Sequence, residues 1–164
     1  MVNNKTIILD CMPHLEWMTE NLTGHGGTEV DGRWYYTYDQ AIAAVKELGN
    51  GWRLATKEEF EKLCDAGSTW DENGPDGMPG RWFGGNHDTN HEGSVFFPAA
   101  GYLSRETGAV SNVAAEGNYW SSSPYSSEVS AGHLSFFSAG VYPVYDTYRA
   151  NGLSVRCVRD ISER

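Results

Sequence analysis

Two helix-start signals lie early in the chain, and each is followed by a helical apolar period. Thr37 precedes an apolar run and has Gln40 three residues later, and Thr56 and Glu59 repeat this arrangement. In such a capping box each side chain bonds to a backbone N–H at the other position, which fixes the first helical turn. After Ser68 no helical period recurs. The sequence therefore predicts two helices in the first half and strands and loops in the second.

Each predicted helix has an apolar face and a glycine stop. The inward positions are Tyr38, Ile42, Val45 and Leu48 before Gly49 in the first helix, and Phe60, Leu63 and Cys64 before Gly67 in the second. Short strands are predicted within residues 5–22, at 32–36 and at 52–54, and later in "SVFFPAAGYL", "GNYWSSS", "GHLSFF" and "LSVRCV". Helices followed by antiparallel strands indicate an α+β domain. At 164 residues, one domain spanning 1–164 is expected.

Charge and hydropathy exclude several classes of partner. The formal net charge is −10, and Lys and Arg form no basic stripe, so no nucleic acid partner is expected. No apolar window is long enough for membrane insertion, and the start "MVNNKTIILD" has no visible signal peptide. The three cysteines, Cys11, Cys64 and Cys157, lack metal or redox spacing. We interpret them as mostly buried thiols and leave a Cys11–Cys157 bridge open.

A set of separate motifs resembles a known family. "WMTENL", Tyr36, Ala41, "GWRLATKEEFEKL", "GRWFGG", "FFPAAGYL", "YWSSS" and "RANGLSVRCVR" follow one another in the order found in the major paralogous domain family (FISUMP). The resemblance covers nearly the whole chain. It implies a C-type lectin fold: two helices on small antiparallel sheets, with the N- and C-terminal strands together and long irregular loops at one end.

The last part of the chain also resembles the variable proteins of diversity-generating retroelements, of the phage major tropism determinant type. This resemblance implies a ligand-binding variable region at about 119–158, in which mutagenesis of adenines rewrites asparagine codons. The residues that match the framework are Leu134, Phe136, Val141, Pro143, Arg149, Gly152, Val155, Arg156 and Val158. From Ser121 to Arg159 there is no Lys, Gln, Met or Trp, residues that such codons do not reach, and Glu128 is the only Glu.

The residues between the framework positions have the composition of a binding surface. Tyrosine supplies large contact area at low entropic cost, and serine supplies adaptable hydrogen bonds. Strand alternation at 132–137 places Leu134 and Phe136 inward and sends the neighbouring side chains outward. The predicted ligand-binding residues are Tyr125, Ser127, Ser130, His133, Ser135, Phe137, Tyr142, Val144, Tyr145, Asp146, Thr147 and Tyr148. The simpler interpretation is an ordinary polar loop. Arg149 is expected to hold the loop rather than the ligand.

Cofactors and metals are not expected. The calcium-binding motifs of lectins of this fold are missing. His87, Asp88 and His91 in "GGNHDTNHEG" offer a transition-metal alternative, but a solvated glycine-rich loop is the commoner outcome. The tryptophans Trp17, Trp34, Trp52, Trp82 and Trp120 are interpreted as core residues rather than sugar platforms.

The resemblance implies a protein or glycan partner and a location on a phage virion or bacterial cell surface. A fixed adhesive or structural module of the cell surface is the alternative. A third hypothesis is an oxidase like the formylglycine-generating enzymes, suggested by "GWRLATKEEFEKL". Those enzymes use paired cysteines, and no second cysteine lies near Cys64 or Cys157 in sequence. A non-enzymatic protein is therefore expected.

Overall fold

The computed structural model describes residues 5–124 and 128–161, with only the backbone of Pro124. It confirms the predicted α+β class: two helices and several small antiparallel sheets. The helices are α1 (Tyr38–Leu48) and α2 (Lys57–Asp65), and a single 3₁₀ turn spans Pro75–Gly77. The strands are β1 (Thr6–Ile8), β2 (Leu15–Met18), β3 (Thr28–Val30), β4 (Arg33–Tyr35), β5 (Trp52–Leu54), β6 (Ser68–Asp71), β7 (Gly80–Phe83), β8 (Val95–Pro98), β9 (Tyr102–Leu103), β10 (Val110–Ser111), β11 (Glu116–Pro124), β12 (Ser130–Phe137), β13 (Gly140–Tyr148) and β14 (Cys157–Asp160).

Both capping boxes form as predicted. The Thr37 and Thr56 side chains accept hydrogen bonds from the backbone N–H groups of Gln40 and Glu59, whose side chains bond back to the two threonine N–H groups. The prediction for Ile42 is wrong, because its side chain is 40% exposed. α1 packs instead through small residues, since Ala41 and Ala44 are fully buried and allow close approach.

The first sheet joins the two ends of the chain. Its strand order is β1-β2-β14-β5, with every pair antiparallel, so the last strand lies between the N-terminal hairpin and the strand that precedes α2. Val158 pairs with Trp17 on one side and with Arg53 on the other. This central position ties the C-terminal segment into the middle of the fold.

Two three-stranded sheets form the rest of the framework. β6-β7-β8 and β11-β12-β13 are both antiparallel, and β3-β4 and β9-β10 are separate hairpins. Arg81 of β7 links the two larger sheets, because its guanidinium donates to the carbonyls of Phe137 and Ser138 at 2.9 and 3.1 Å. β13 is the outer strand of the second of these sheets, and the Arg81 hydrogen bonds hold that sheet at the turn between β12 and β13.

The core consists of two clusters of buried side chains. One surrounds Trp17, Phe97 and Tyr119, and the other surrounds Tyr36 and Trp120. Trp17, Trp52 and Trp120 are buried as predicted, while Trp34 and Trp82 are half-buried at the edges. Most of the tryptophan ring area in this fold therefore packs in the core and is not exposed for stacking on a sugar.

The three cysteines are free thiols, so the Cys11–Cys157 bridge does not form. Cys157 is buried and Cys64 partly buried, but Cys11 is exposed, which corrects the expectation of burial for that residue. Burial raises the pKa of both Cys64 and Cys157 to about 12. Neither thiol is therefore activated as a nucleophile at neutral pH.

Candidate binding face on strands β12 and β13

β13 presents large side chains to solvent. Tyr142, Val144, Tyr145 and Tyr148 are 46, 42, 56 and 45% exposed, respectively. Asp146 is also exposed, and Thr147 is half-buried. Large apolar or aromatic groups clustered on one strand are typical of an interaction surface. These six positions lie where the sequence predicted a binding face.

A β-bulge decides which tyrosines share a face. Ser135 pairs with Tyr142 and His133 with Tyr145, so between these pairs one residue of β12 opposes two residues of β13. Without the bulge, Tyr142 and Tyr145 would point to opposite faces, because side chains alternate along a strand. The extra residue instead places the two rings 6.1 Å apart. Pro143 lies in this irregular stretch, where a missing N–H costs no regular ladder bond.

The prediction that His133 and Ser135 are exposed is wrong. They lie on the face opposite to Leu134, as alternation requires, but they are only 3% and 7% exposed. The His133 ring lies between Trp120 and Tyr145, with centroids at 6.1 and 5.8 Å. Burial lowers its pKa to about 4. These two residues form the floor of the face, and the tyrosines of β13 cover them.

Phe137 is half-buried rather than an exposed anchor. Its ring stacks on Tyr142, with centroids 5.5 Å apart and planes inclined by 25°. Tyr142 in turn contacts Tyr145, which contacts His133. The aromatic groups therefore form one continuous series along the face, in which each ring limits the freedom of the next.

A cavity of about 330 Å³ opens beside this series. The predicted residues His133, Ser135, Tyr145, Asp146, Thr147 and Tyr148 line it. Residues that sequence reasoning missed complete it: Tyr102, Ser104, Glu106, Glu116, Asn118, Asn151 and Leu153. Five of them come from β9, β11 and the segment after β9, which only tertiary structure brings near β13, whereas Asn151 and Leu153 follow β13 in the chain.

Polar contacts fix the C-terminal end of β13. Asn151 donates through Nδ2 to Thr147 Oγ1 at 3.0 Å and accepts from the Arg105 N–H at 3.0 Å. Arg149 bonds Asp39 Oδ1 at 2.6 Å and lies over the Tyr38 ring, so it anchors β13 to α1. The expectation that Arg149 holds the loop is confirmed.

Two further members of the predicted set, Ser130 and Val144, are described and do not line the cavity. Ser130 is half-buried at the start of β12 and pairs with Tyr148. Tyr125 and Ser127 lie outside the described residues. Val144 is exposed but does not line the cavity.

The two histidines of the glycine-rich loop at 84–93 make contacts within the protein. His87 Nδ1 lies 2.8 Å from Thr69 Oγ1, and His91 stacks on Trp82 with centroids 4.1 Å apart. Among residues 5–124 and 128–161, no three His, Cys, Asp or Glu side chains converge as metal ligands. Both rings therefore contribute to packing around β6 and β7.

No helix in the described part of the chain is long and apolar enough to cross a membrane. Residues 81–158, just under half of the chain, match a family described as a domain of unknown function, DUF8237. No curated protein and no solved structure matches the chain. The matched segment runs from β7 to β14 and includes β12, β13 and most of the cavity lining.

Proposed function

We propose that the chain is the ligand-binding variable protein of a diversity-generating retroelement, with the C-type lectin fold as its scaffold. The single observation that carries this proposal is the exposure of Tyr142, Tyr145 and Tyr148 on a bulged outer strand whose ends are fixed. Loops and outer strands held by a rigid framework are where binding residues change without unfolding the protein.

The distribution of burial supports the division into framework and variable positions. Leu134, Phe136, Val155, Arg156 and Val158, which match the family framework, are all fully buried. The interleaved positions Tyr142, Val144, Tyr145, Asp146 and Tyr148 are all exposed. A gene that changes only the second set leaves the core intact. The exceptions are the framework residues Val141, Pro143 and Arg149, which are only half-buried, and the variable positions His133 and Ser135, which are buried.

The chemistry of the cavity favours a positively charged group on the ligand. Glu106, Glu116 and Asp146 line it, and no Lys or Arg among the described residues does. Within the same part of the chain, one cation contacts a lining ring: the Arg105 guanidinium lies 4.2 Å from the centroid of Tyr148. Electron-rich rings and carboxylates both attract cations. We propose a protein or glycan partner that presents such a group on a cell or virion surface.

Two other functions fit fewer observations. A fixed adhesive module would use the same face but would not require changes confined to it. An oxidase like the formylglycine-generating enzymes would require activated thiols, and the raised pKa values of Cys64 and Cys157 disfavour that chemistry.

The deciding experiment is sequencing of the gene and its flanking DNA in many isolates of one population. We expect a nearby reverse transcriptase gene and a near-copy of the codons for about 119–158 that is rich in asparagine codons. Substitutions should concentrate at the exposed β13 positions. Scattered, mostly synonymous differences without a template copy would instead support the fixed module.

A further inference from the structure

A second cavity, of about 390 Å³, shares no lining residue with the first. Its walls come from the segment after β2, the β3–β4 hairpin, the 3₁₀ turn, β8 and the segment before β14. A volume of this size holds a small organic molecule. Nothing in the proposed function uses this cavity.

The floor of the second cavity contains a fully buried guanidinium. Arg156 is 0% exposed, and its side chain donates to Asn21 Oδ1 at 2.6 and 3.1 Å and to the Met18 carbonyl at 3.3 Å. All of these acceptors are neutral. Among the described residues no carboxylate bonds to Arg156; Glu20, at the exposed surface, acts on it only weakly. Burial lowers its pKa to about 10.

A buried charge without a partner of opposite sign is costly, and this one is only partly compensated. A guanidinium has five N–H donors, and the three hydrogen bonds leave two of them unused. The Phe97 ring, 4.2 Å from the guanidinium carbon, gives a cation–π contact. Net positive charge therefore remains beneath the cavity, in a protein whose formal charge is −10.

Arg33 brings a second guanidinium to the wall of this cavity. Its Nε is buried and has no hydrogen-bond acceptor among the described residues, whereas Nη2 lies 3.9 Å from Asp31 and the guanidinium also interacts with the Tyr35 hydroxyl. Few buried polar atoms in native proteins lack a partner, so Arg33 Nε is a donor that a ligand carboxylate or a water molecule can satisfy.

The remaining walls are largely apolar. Leu22, Trp34, Met78, Phe96 and Pro98 line the cavity together with the two arginines. Glu20 and Asp76 also line it, and both are exposed residues. Such walls favour a hydrophobic body, and the two carboxylates disfavour a second negative charge on the ligand.

We propose that this cavity binds a small monocarboxylate with an apolar body. The carboxylate bonds to Arg33 at the wall, while the Arg156 charge beneath it supplies attraction that no group of the chain neutralises. The apolar body packs against Trp34 and Phe96. This site is independent of the β12–β13 face and does not require the proposed function.

The test uses the full chain and three probes of the same shape: 3-phenylpropanoate, 3-phenylpropan-1-ol and 3-phenylpropylammonium. Titration followed by ¹H–¹⁵N NMR measures each affinity and locates each site. We expect the carboxylate to bind at least about tenfold more tightly than the other two, the factor that one charge-assisted hydrogen bond provides. Amide shifts should map to Leu22, Trp34 and Phe96.

Arg33→Gln provides the matched variant, since Arg33 is partly exposed and its loss should leave the fold intact. It should weaken 3-phenylpropanoate binding about tenfold, whereas Arg105→Gln, beside the first cavity, should not change it. Arg156→Gln is a poorer test because it disturbs the core. Equal binding of the three probes, no binding of any, or equal effects of Arg33→Gln and Arg105→Gln would overturn the proposal.

Discussion

β13 and the segment that follows it are neighbours in sequence but differ completely in burial. Every residue from Asn151 to Val158 is buried, whereas no residue of β13 is. Both segments contain small and β-branched residues, and tyrosine occurs only in β13. The difference comes from position: β13 has a sheet partner only on one side, and the later segment crosses the centre of the domain.

Contacts on all sides explain the burial of the later segment. Leu153 exchanges backbone hydrogen bonds with Tyr36, and Ser154 is bonded to Asn118 and Trp120. β14 then enters the sheet between β2 and β5. Side chains enclosed in this way are close-packed, so changes there are costly. Most side chains of β13 are instead exposed, so substitutions there should cost less stability.

Trp52→Ala should give the largest effect and tests the buried side of this comparison. Trp52 is 7% exposed in the second core cluster, and β5 pairs with β14 there. Its loss should lower the free energy of unfolding by about 3–5 kcal/mol. Denaturant titration of the wild type and the variant measures this. A loss below about 1 kcal/mol, the size of an average point-mutation effect, would mean that this cluster contributes little.

Low pH should destabilise the protein through His133, whose buried ring lies between Trp120 and Tyr145. The folded-state pKa of His133 is about 4, below its unfolded value of about 6.5. The unfolded chain therefore binds the proton more readily, and the stability contributed by neutral His133 is complete above pH ~6.5 and lost as the pH falls towards 4. That loss amounts to roughly 3 kcal/mol.

Unfolding titrations between pH 7 and 4 measure this dependence. The His133→Gln variant should show a correspondingly shallower curve, because glutamine does not titrate. An identical slope in both proteins would assign the acid sensitivity to other groups and leave His133 without a role in it.

Thr56→Ala should have an intermediate effect and tests the framework near α2. It removes the bond from the Glu59 N–H to Thr56 Oγ1, at 3.1 Å, and should cost about 1 kcal/mol. Thr56→Ser keeps the hydroxyl and serves as the control, with most of the stability retained. Equal losses in the two variants would show that the hydroxyl is not the stabilising group.

Tyr145→Ala and Tyr148→Ala should have the smallest effect on stability. Both side chains are about half exposed, so each change should stay within about 0.5 kcal/mol. The same variants should weaken binding to any ligand of the β12–β13 face, measured by calorimetry once a ligand is found. If they destabilised the protein as much as Trp52→Ala, the tyrosines would be packing residues and the comparison would fail.

Local sequence signals predicted much of the framework. Capping boxes fixed the starts of both helices, and alternation placed Leu134 and Phe136 in the core. The prediction failed at Ile42 of α1, which is exposed. Ala41 and Ala44 are buried instead, so the buried face of the helix is rotated about the helix axis relative to the predicted one. Helical periodicity locates a face only approximately, and the packing partner decides its centre.

The candidate site was predictable only in part. The exposed tyrosines of β13 followed from composition and resemblance, but the burial of His133 and Ser135 did not. Alternation states which way a side chain points and not whether another strand covers it. Glu106, Glu116 and Asn118 were missed because their contribution depends on how β11 and the β9 segment are placed around β12 and β13 in the folded chain.

The sequence by itself determined the two capped helices, the α+β class and the concentration of tyrosine and serine late in the chain, because each depends on short-range periodicity or composition. Only the tertiary structure decided that Tyr142 and Tyr145 share a face, that His133 lies beneath them, and that Arg156 and Arg33 border one cavity. The physical reason is that a bulge, a covering strand and a cavity are relations between segments, and their free energy comes from contacts that no single segment contains.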